Sequence, residues 1–408
     1  MKVSVRSCPS SEGPAEAMEV LAIIPARGGS HRLPKKNVRL VAGRPLVAHT
    51  IEHARRSRLV TRTIVSTEDA EIASVSREEG AEVIERPAVL ASSTATSESA
   101  LLHVLEHLER TEGYRPDIIV FLQCTSPVRQ PDDIDRAVQT LLNSGADSLF
   151  SATRSHWLIW RSEGPWVKSF NYDFRVRRRE QDMEDEWREN GSIYVLRPWV
   201  LVDHTNRLGG KIAVYEMGYW SSFQVDSAED LELCDWILGR QMAQHRLALL
   251  PAQIGAVVFD FDGVFTDNRV WVAEDGTEAV VCDRSDGLGL DRLRAAGIPV
   301  LVLSTEENPV VAARCQKVRV ECRQGLADKA AALAQYAAER KIPLSDIVYV
   351  GNDLNDRECL TGVGCGIVVA DAHPAVRDLA QIRLEHNGGT GAVREVCDLV
   401  LAKIGGAA

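Results

Sequence analysis

Pairing is what the nine cysteines lack. They stand at 8, 124, 234, 282, 315, 322, 359, 365 and 397, and no two form a CxxC. Zinc-ligand spacing is therefore excluded, and a disulfide framework would be foreign to a chain of 408 residues. Reduced thiols and a cytoplasmic location are expected. Long apolar runs are missing too, none approaching the ~18 residues of a membrane span. Positive charge is in deficit, with 47 basic against 58 acidic residues and a net charge of −11. That balance argues against a nucleic-acid-binding surface. Internal repeats and low-complexity tracts are absent. Residues 1–18 are rich in Ser, Glu, Gly and Pro and have no apolar centre of a signal peptide, so they read as a disordered leader.

What is present is an ordinary hydrophobic content of 45% in a chain long enough for two domains. Short apolar runs alternate with amphipathic stretches from residue 19 onward. Strands are expected at Val20–Pro25, Thr63–Ser66, Ala81–Ile84 and Asp117–Gln123. Helices are expected around Leu46–Ser57, Asp69–Glu79, Ser97–Leu108 and Pro131–Asn143. Alternation of this kind implies an α/β fold with a mostly parallel, doubly wound (Rossmann-like) sheet. Ligands of such sheets bind at the C-terminal ends of the strands. Residues 154–190 break the rhythm, with Trp157, Trp160, Trp166, Phe170, Tyr172 and Trp187 standing among many arginines and acids, as in a lid or a dimer arm. A helix from Ser227, with Asp230 at capping-box spacing, closes the first domain. Gly255–Phe259 then starts a second one. The expected division is 19–248 and 249–408, both doubly wound.

Two motif sets carry chemistry. In the first, a β-branched strand runs into Arg27-Gly28-Gly29-Ser30-His31-Arg32-Leu33-Pro34-Lys35-Lys36-Asn37. Glycines let a backbone approach a phosphate chain and present N–H groups to it. Arg27, Lys35 and Lys36 can neutralise its charge. Further motifs follow in order: Ser66-Thr67-Glu68-Asp69, Glu85-Arg86-Pro87-Ala88, Gln123-Cys124-Thr125-Ser126-Pro127-Val128-Arg129 and Glu189-Asn190-Gly191-Ser192.

Together these motifs closely resemble the acylneuraminate cytidylyltransferases, the resemblance running from residue 21 to 240. It implies that CTP and a nonulosonic acid (N-acetylneuraminate, KDN or a relative) react to give a CMP-sugar and pyrophosphate. By that resemblance Arg27 and Lys36 serve the triphosphate, with Gly28 and Ser30 in the same loop and Asn37 at the cytidine end. Arg86 belongs to the nucleotide site, followed by Ser93 and Thr94, whose hydroxyls could reach base or ribose. Gln123, Ser126 and Arg129 form the acceptor-sugar side, completed by Asn190 and Gly191, and Arg129 could supply the cation for the sugar carboxylate. The chain departs from the family at His31, where a lysine is usual, and at Gln224-Val225-Asp226, where two carboxylates usually hold Mg2+. One hard anionic ligand, Asp226, remains, and Mg2+ manages with few protein ligands. The close rival acceptor is 3-deoxy-octulosonate, and the rival from another class is a non-catalytic CTP-binding scaffold.

The second set begins with Val257–Phe259 running into Asp260-Phe261-Asp262-Gly263. Ser304 follows the strand Pro299–Leu303, Lys329 opens a helix, and Gly351-Asn352-Asp353-Leu354-Asn355-Asp356 follows Ile347–Val350. One carboxylate can attack phosphorus while its neighbour donates a proton to the leaving oxygen. This set resembles the capless haloacid-dehalogenase-like phosphatases of the 3-deoxy-octulosonate 8-phosphate phosphatase type. The resemblance makes Asp260 nucleophile, Asp262 acid/base, Ser304 and Lys329 phosphate-holding, and Asp260, Asp262 and Asp353 ligands of Mg2+, with Asp356 in support. A sugar-acid 9-phosphate is the implied substrate and a homo-tetramer the implied assembly. In animal members of the fused family the second domain serves mainly in assembly, so a non-catalytic tetramerisation module is the alternative. Asp267, Asp283 and Asp286 read as caps of turns and helices, and His103, His107 and His204 as ordinary helix or loop residues.

Overall fold

The computed structural model describes residues 18–30, 32–92, 94–176, 179–182 and 186–405. The expected leader, apart from Met18, and the calls on His31 and Ser93 therefore lie outside the described residues. Two compact units divide the chain, one ending at Gly239 and the other starting at Arg240.

The first unit is built on seven strands: β1 Val20–Pro25, β2 Arg62–Thr67, β3 Glu82–Glu85, β4 Ile118–Leu122, β5 Ser148–Arg154, β6 Trp187–Leu196 and β7 Ile212–Glu216. Their order across the sheet is β7-β5-β6-β4-β1-β2-β3. Successive β1 side chains leave opposite faces, so each face receives its own core. Val20, Ala22 and Ile24 pack with helices α1 (Leu46–Arg56) and α4 (Asp133–Ser144). Leu21 and Ile23 pack with α3 (Ser97–Glu112) and α5 (Pro198–His204). Both faces are thus covered, which is why β1 and β4 read as continuous apolar runs. Helix α2 (Ala70–Glu78) follows β2 and is capped by Asp69, whose carboxylate accepts from the Glu71 and Ile72 amides.

Within this seven-stranded sheet the ladders are parallel except those of β6, which runs antiparallel to both β4 and β5. The tail of the irregular excursion is therefore a strand, because Ile193–Leu196 is apolar enough to be buried on both faces. Within the excursion, Trp160–Glu163 and Trp166–Ser169 pair as an antiparallel hairpin. Helix α6 (Ala228–Leu249) opens with the expected reciprocal cap: the Asp230 carboxylate accepts from the Ser227 amide at 2.9 Å, and the Ser227 hydroxyl accepts from the Asp230 amide at 3.2 Å.

Six parallel strands make the second unit: β8 Ala256–Phe259, β9 Val300–Leu303, β10 Glu321–Arg323, β11 Ile347–Gly351, β12 Cys365–Val368 and β13 Ile382–Arg383. They lie in the order β10-β9-β8-β11-β12-β13. Helices α7 (Ser285–Ala295), α8 (Pro309–Val318), α9 (Lys329–Arg340), α10 (Arg357–Gly362), α11 (Pro374–Arg377) and α12 (Ala392–Ile404) complete one continuous core with them. Asp260, Ser304 and Asn352 each follow the last residue of one of three adjacent strands, β8, β9 and β11, at one edge of the sheet. No helix among the described residues is long and apolar enough to cross a membrane.

Candidate active sites

A cleft of about 400 Å3 opens at the C-terminal ends of β1 and β4. Arg27, Ser30, Lys36, Asn37, Arg86, Gln123, Gln224 and Asp226 line it, with Leu90, Ser92 and Thr96–Ser97 along another part of the wall. Motifs scattered over two hundred residues thus meet in one crevice. The loop is held from several sides. Gly28 N–H donates to Glu68 Oε1 at 2.8 Å, and Asn37 Nδ2 donates to the Arg27 carbonyl at 2.9 Å. A Cβ at Gly28 would lie 2.3 Å from Asp69 Oδ2, so only glycine permits this approach.

The cations of the cleft differ in their state. Arg27 is exposed, its guanidinium reaching the Ser92 carbonyl at 3.4 Å. Lys36 donates to the Val225 carbonyl at 2.8 Å and to Asp226 Oδ1 at 3.0 Å. Arg86 is buried and forked onto Glu68. Lys35 is corrected: it ion-pairs on the surface with Glu71 at 2.7 Å and does not line the cleft. Its backbone, at φ 54°, turns the side chain out of the row that carries Lys36 and Asn37.

Three expected acceptor residues sit behind the wall. Arg129 is 3% exposed and donates to Thr50 Oγ1 at 3.1 Å and to the Gln123 and Ser192 carbonyls at 2.9 Å each. Burial pushes its guanidinium down to about 10. The expectation that Arg129 offers its charge to a sugar carboxylate is corrected, because its guanidinium ties the Gln123 carbonyl, just after β4, to the Ser192 carbonyl within β6. Ser126 donates to the Asn190 carbonyl at 3.3 Å, and Asn190 Oδ1 accepts from Ser151 Oγ at 2.6 Å and from the Ser192 amide at 3.1 Å. These are the contacts of a buried brace, not of a lining surface. Thr94 is exposed and outside the lining. Gly191, at φ 65°, lets two glutamines close over it: a Cβ there would lie 2.7 Å from Gln224 Nε2 and 3.0 Å from the Gln123 amide.

Sequence reasoning missed two roles. Glu68 lies inside a quoted motif, yet its grip on Gly28 and Arg86 is a property of the folded loop. Arg207 carried no signal at all. Its Nε donates to Glu98 Oε1 at 2.6 Å, and its guanidinium lies against the rings of Phe121 and Tyr194 at 4.8 and 4.9 Å.

A second cleft, of about 320 Å3, is lined by Asp260, Asp262, Asn268, Thr305, Asn352, Asp353, Leu354 and Asn355. Beneath it lies a buried charge network. Lys329 Nζ stands 2.7 Å from Asp260 Oδ1 and 2.9 Å from Asp356 Oδ1. Tyr349 donates its phenol proton to Asp356 Oδ1 at 2.6 Å, and the Asn352 amide donates to Asp356 Oδ2 at 2.8 Å. Burial and the facing Asp356 carboxylate push Asp260 up, against the pull of Lys329. Asp262 is pushed up by burial and by Glu306. Ser304 is 1% exposed, its hydroxyl accepting from the Glu306 amide at 3.0 Å. The lining position after β9 belongs to Thr305 instead, a correction to the expected phosphate contact. Gly263, at φ 76°, packs its Cα against the Asn352 amide and closes the turn that carries both aspartates.

No three His, Cys, Asp or Glu side chains among the described residues come together as a ready-made metal site. The donor sets nevertheless suit a hard divalent ion that keeps waters and takes phosphate oxygens. In the second cleft, two carboxylates disfavoured as anions face one polar opening beside Asp353 and Asn352. In the first, Asp226 stands beside Gln224, whose Nε2 is engaged by the Asn190 carbonyl at 2.8 Å, leaving its carbonyl oxygen as a ligand.

Comparison with known proteins places the chain in a family. The cytidylyltransferase family profile matches residues 21–172, and that of the haloacid dehalogenase-like hydrolases matches residues 306–396. N-acylneuraminate cytidylyltransferase A of Danio rerio is 29% identical over 401 residues, 95% of this chain and 89% of its own. Its B counterpart is 30% identical over 395 residues, 93% of this chain and 90% of its own. A solved 3-deoxy-D-manno-octulosonate 8-phosphate phosphatase from Yersinia pestis is 30% identical, spanning 40% of this chain and 85% of that one, with a TM-score of 0.37. Matched along nearly its whole length, the chain belongs to the N-acylneuraminate cytidylyltransferase family and carries a haloacid dehalogenase-like hydrolase domain behind its nucleotidyltransferase domain.

Proposed function

We propose that residues 19–248 transfer CMP from CTP to a nonulosonic acid, of the N-acetylneuraminate or KDN class. The observation that carries this reading is the convergence of Arg27, Lys36 and Arg86 on one polar cleft beside Gln123. The anomeric hydroxyl oxygen attacks the α-phosphorus, its bond to the β-phosphate bridge breaks, and pyrophosphate leaves. The hydroxyl proton passes to solvent. Arg27, which has no acidic partner among the described residues, meets the triphosphate directly, and Lys36 can exchange Asp226 for a phosphate oxygen. Such electrostatic positioning carries most of the work in phosphoryl transfer. Mg2+ bound by Asp226 and the Gln224 carbonyl would neutralise further charge there. Pyrophosphate release from CTP, assayed with N-acetylneuraminate, KDN and 3-deoxy-octulosonate, tests the reading. Release with a nine-carbon acid supports it, preference for the octulosonate replaces the acceptor, and CTP binding without release with any acid overturns it in favour of a scaffold.

For residues 249–408 the reading is hydrolysis of a sugar-acid 9-phosphate. It is supported by Asp262, whose raised carboxyl suits an acid that hands its proton to the leaving oxygen. Asp260 forms the bond to phosphorus as the ester P–O bond breaks, and water then releases phosphate. Asp260, Asp262 and Asp353 would hold Mg2+, which screens the phosphoryl oxygens. The assembly proposed is a homo-tetramer. Phosphate release from N-acetylneuraminate 9-phosphate is the test, and a wild-type protein as inert as Asp260→Asn leaves the assembling role alone.

A further inference from the structure

We propose that Arg207 is a positioning residue for the acceptor, acting through Gln123. This deepens the transferase reading above and rests on it. The Gln123 side chain lines the first cleft. Its surroundings satisfy one amide orientation: Nε2 donates to the Gly191 carbonyl at 3.2 Å, and Oε1 accepts from Arg207 Nη1 at 3.1 Å. Arg207 is itself fixed by three elements. Its Nε donates to Glu98 at the start of α3, and its guanidinium plane lies on the stacked rings of Phe121 from β4 and Tyr194 from β6. Their side chains leave the pair largely desolvated, Arg207 at 20% and Glu98 at 12% exposure.

Geometry then decides what Gln123 shows to the cleft. With its oxygen turned to a cation and one N–H turned to a carbonyl, its remaining N–H is the group free to meet substrate. An amide whose oxygen accepts from a guanidinium is polarised, so that N–H becomes the better donor. Such a donor fits an oxygen acceptor on the sugar acid, a carboxylate or a ring-proximal oxygen. It disfavours a cationic or donor-only group. Arginine rather than lysine is needed because one fork must serve Glu98 and Gln123 together.

The test uses the full chain, with CTP and N-acetylneuraminate. Arg207→Met should raise the KM for the acid about tenfold while the KM for CTP moves by less than about twofold. Arg207→Lys should show the same split with an unchanged melting temperature, since an ammonium can keep Glu98 but not both partners. Gln123→Ala should reproduce the acid defect, and the double variant R207M/Q123A should be no worse than Q123A alone. A crystal structure of R207M should show the Gln123 amide displaced from the Gly191 carbonyl. An unchanged acid KM in both Arg207 variants, fully additive effects, or a Gln123 that keeps its place in that crystal each overturn the proposal. Wild-type protein inert toward every acid would sink the transferase reading instead, and the crystal structure would still decide whether Arg207 orients Gln123.

Discussion

Glu68 Oε2 accepts from both Nε and Nη2 of Arg86, each at 3.0 Å, while Oε1 of the same carboxylate accepts from the Gly28 amide. One side chain therefore aims a cation and anchors the loop that faces it. Glu68→Gln strands Arg86, whose side chain is 4% exposed, without its counter-charge. The expected cost is about 3 kcal/mol of stability, as for other broken buried pairs, read by chemical denaturation. The KM for CTP should rise with it, and a variant that denatures and binds CTP like the parent would refute this role for Glu68.

Gln224→Asp restores a second carboxylate beside Asp226. The Asn190 carbonyl loses the Gln224 donor but keeps Ser126 Oγ. The magnesium concentration for half-maximal pyrophosphate release should fall by about tenfold, because a second hard anion strengthens a Mg2+ site. A magnesium titration that superimposes on the parent's would show that Gln224 is no departure of consequence.

Lys329 lies between two carboxylates in the core of the second unit. Removing it in Lys329→Met leaves both facing each other, which should cost about 3–5 kcal/mol. Asp260→Asn removes one of them and should fold well. That variant should lose phosphate release from the 9-phosphate and keep pyrophosphate release from CTP. Loss of both activities together would contradict separate sites.

Asp286 is fully buried; Oδ1 accepts from the Arg394 amide at 3.0 Å, and Oδ2 has no hydrogen-bond partner among the described residues. Burial pushes this carboxyl up to about 6. Its folded value lies above the unfolded one near 3.8, so the native state binds the proton more tightly. Its contribution is present below pH ~4 and lost as pH rises through ~6. Asp286→Asn keeps the acceptor for Arg394 and removes the charge. It should stabilise the second unit at pH 7 by about 1–3 kcal/mol and flatten the pH dependence between ~4 and ~6. Equal stability of the two proteins at pH 7 would count against it.

Both sheets were legible because β1, β4 and β8 are apolar runs ending in residues with chemistry. Periodicity and motif order pointed the same way there. The cleft was legible for a related reason: parallel strands deliver their C-terminal ends to one edge, so Arg27, Arg86 and Gln123 had to meet. Arg129 misled because a motif shows residue type and not burial, and a guanidinium looks the same whether it faces substrate or bonds to carbonyls. Arg207 was invisible since its partners, Glu98, Phe121 and Gln123, come from elements remote in sequence. Strand β6 was masked by the aromatic and charged residues that precede its short apolar half.

The reversed direction of β6 has an architectural outcome. A strand running against its neighbours begins where they finish, so the segment joining β5 to β6 leaves and re-enters the sheet at the same rim as the first cleft. The Trp160–Ser169 hairpin is hung from that rim. Evolution could lengthen, shorten or recolour this appendage without moving a single core residue, and each revision would reshape the rim on which the first cleft opens.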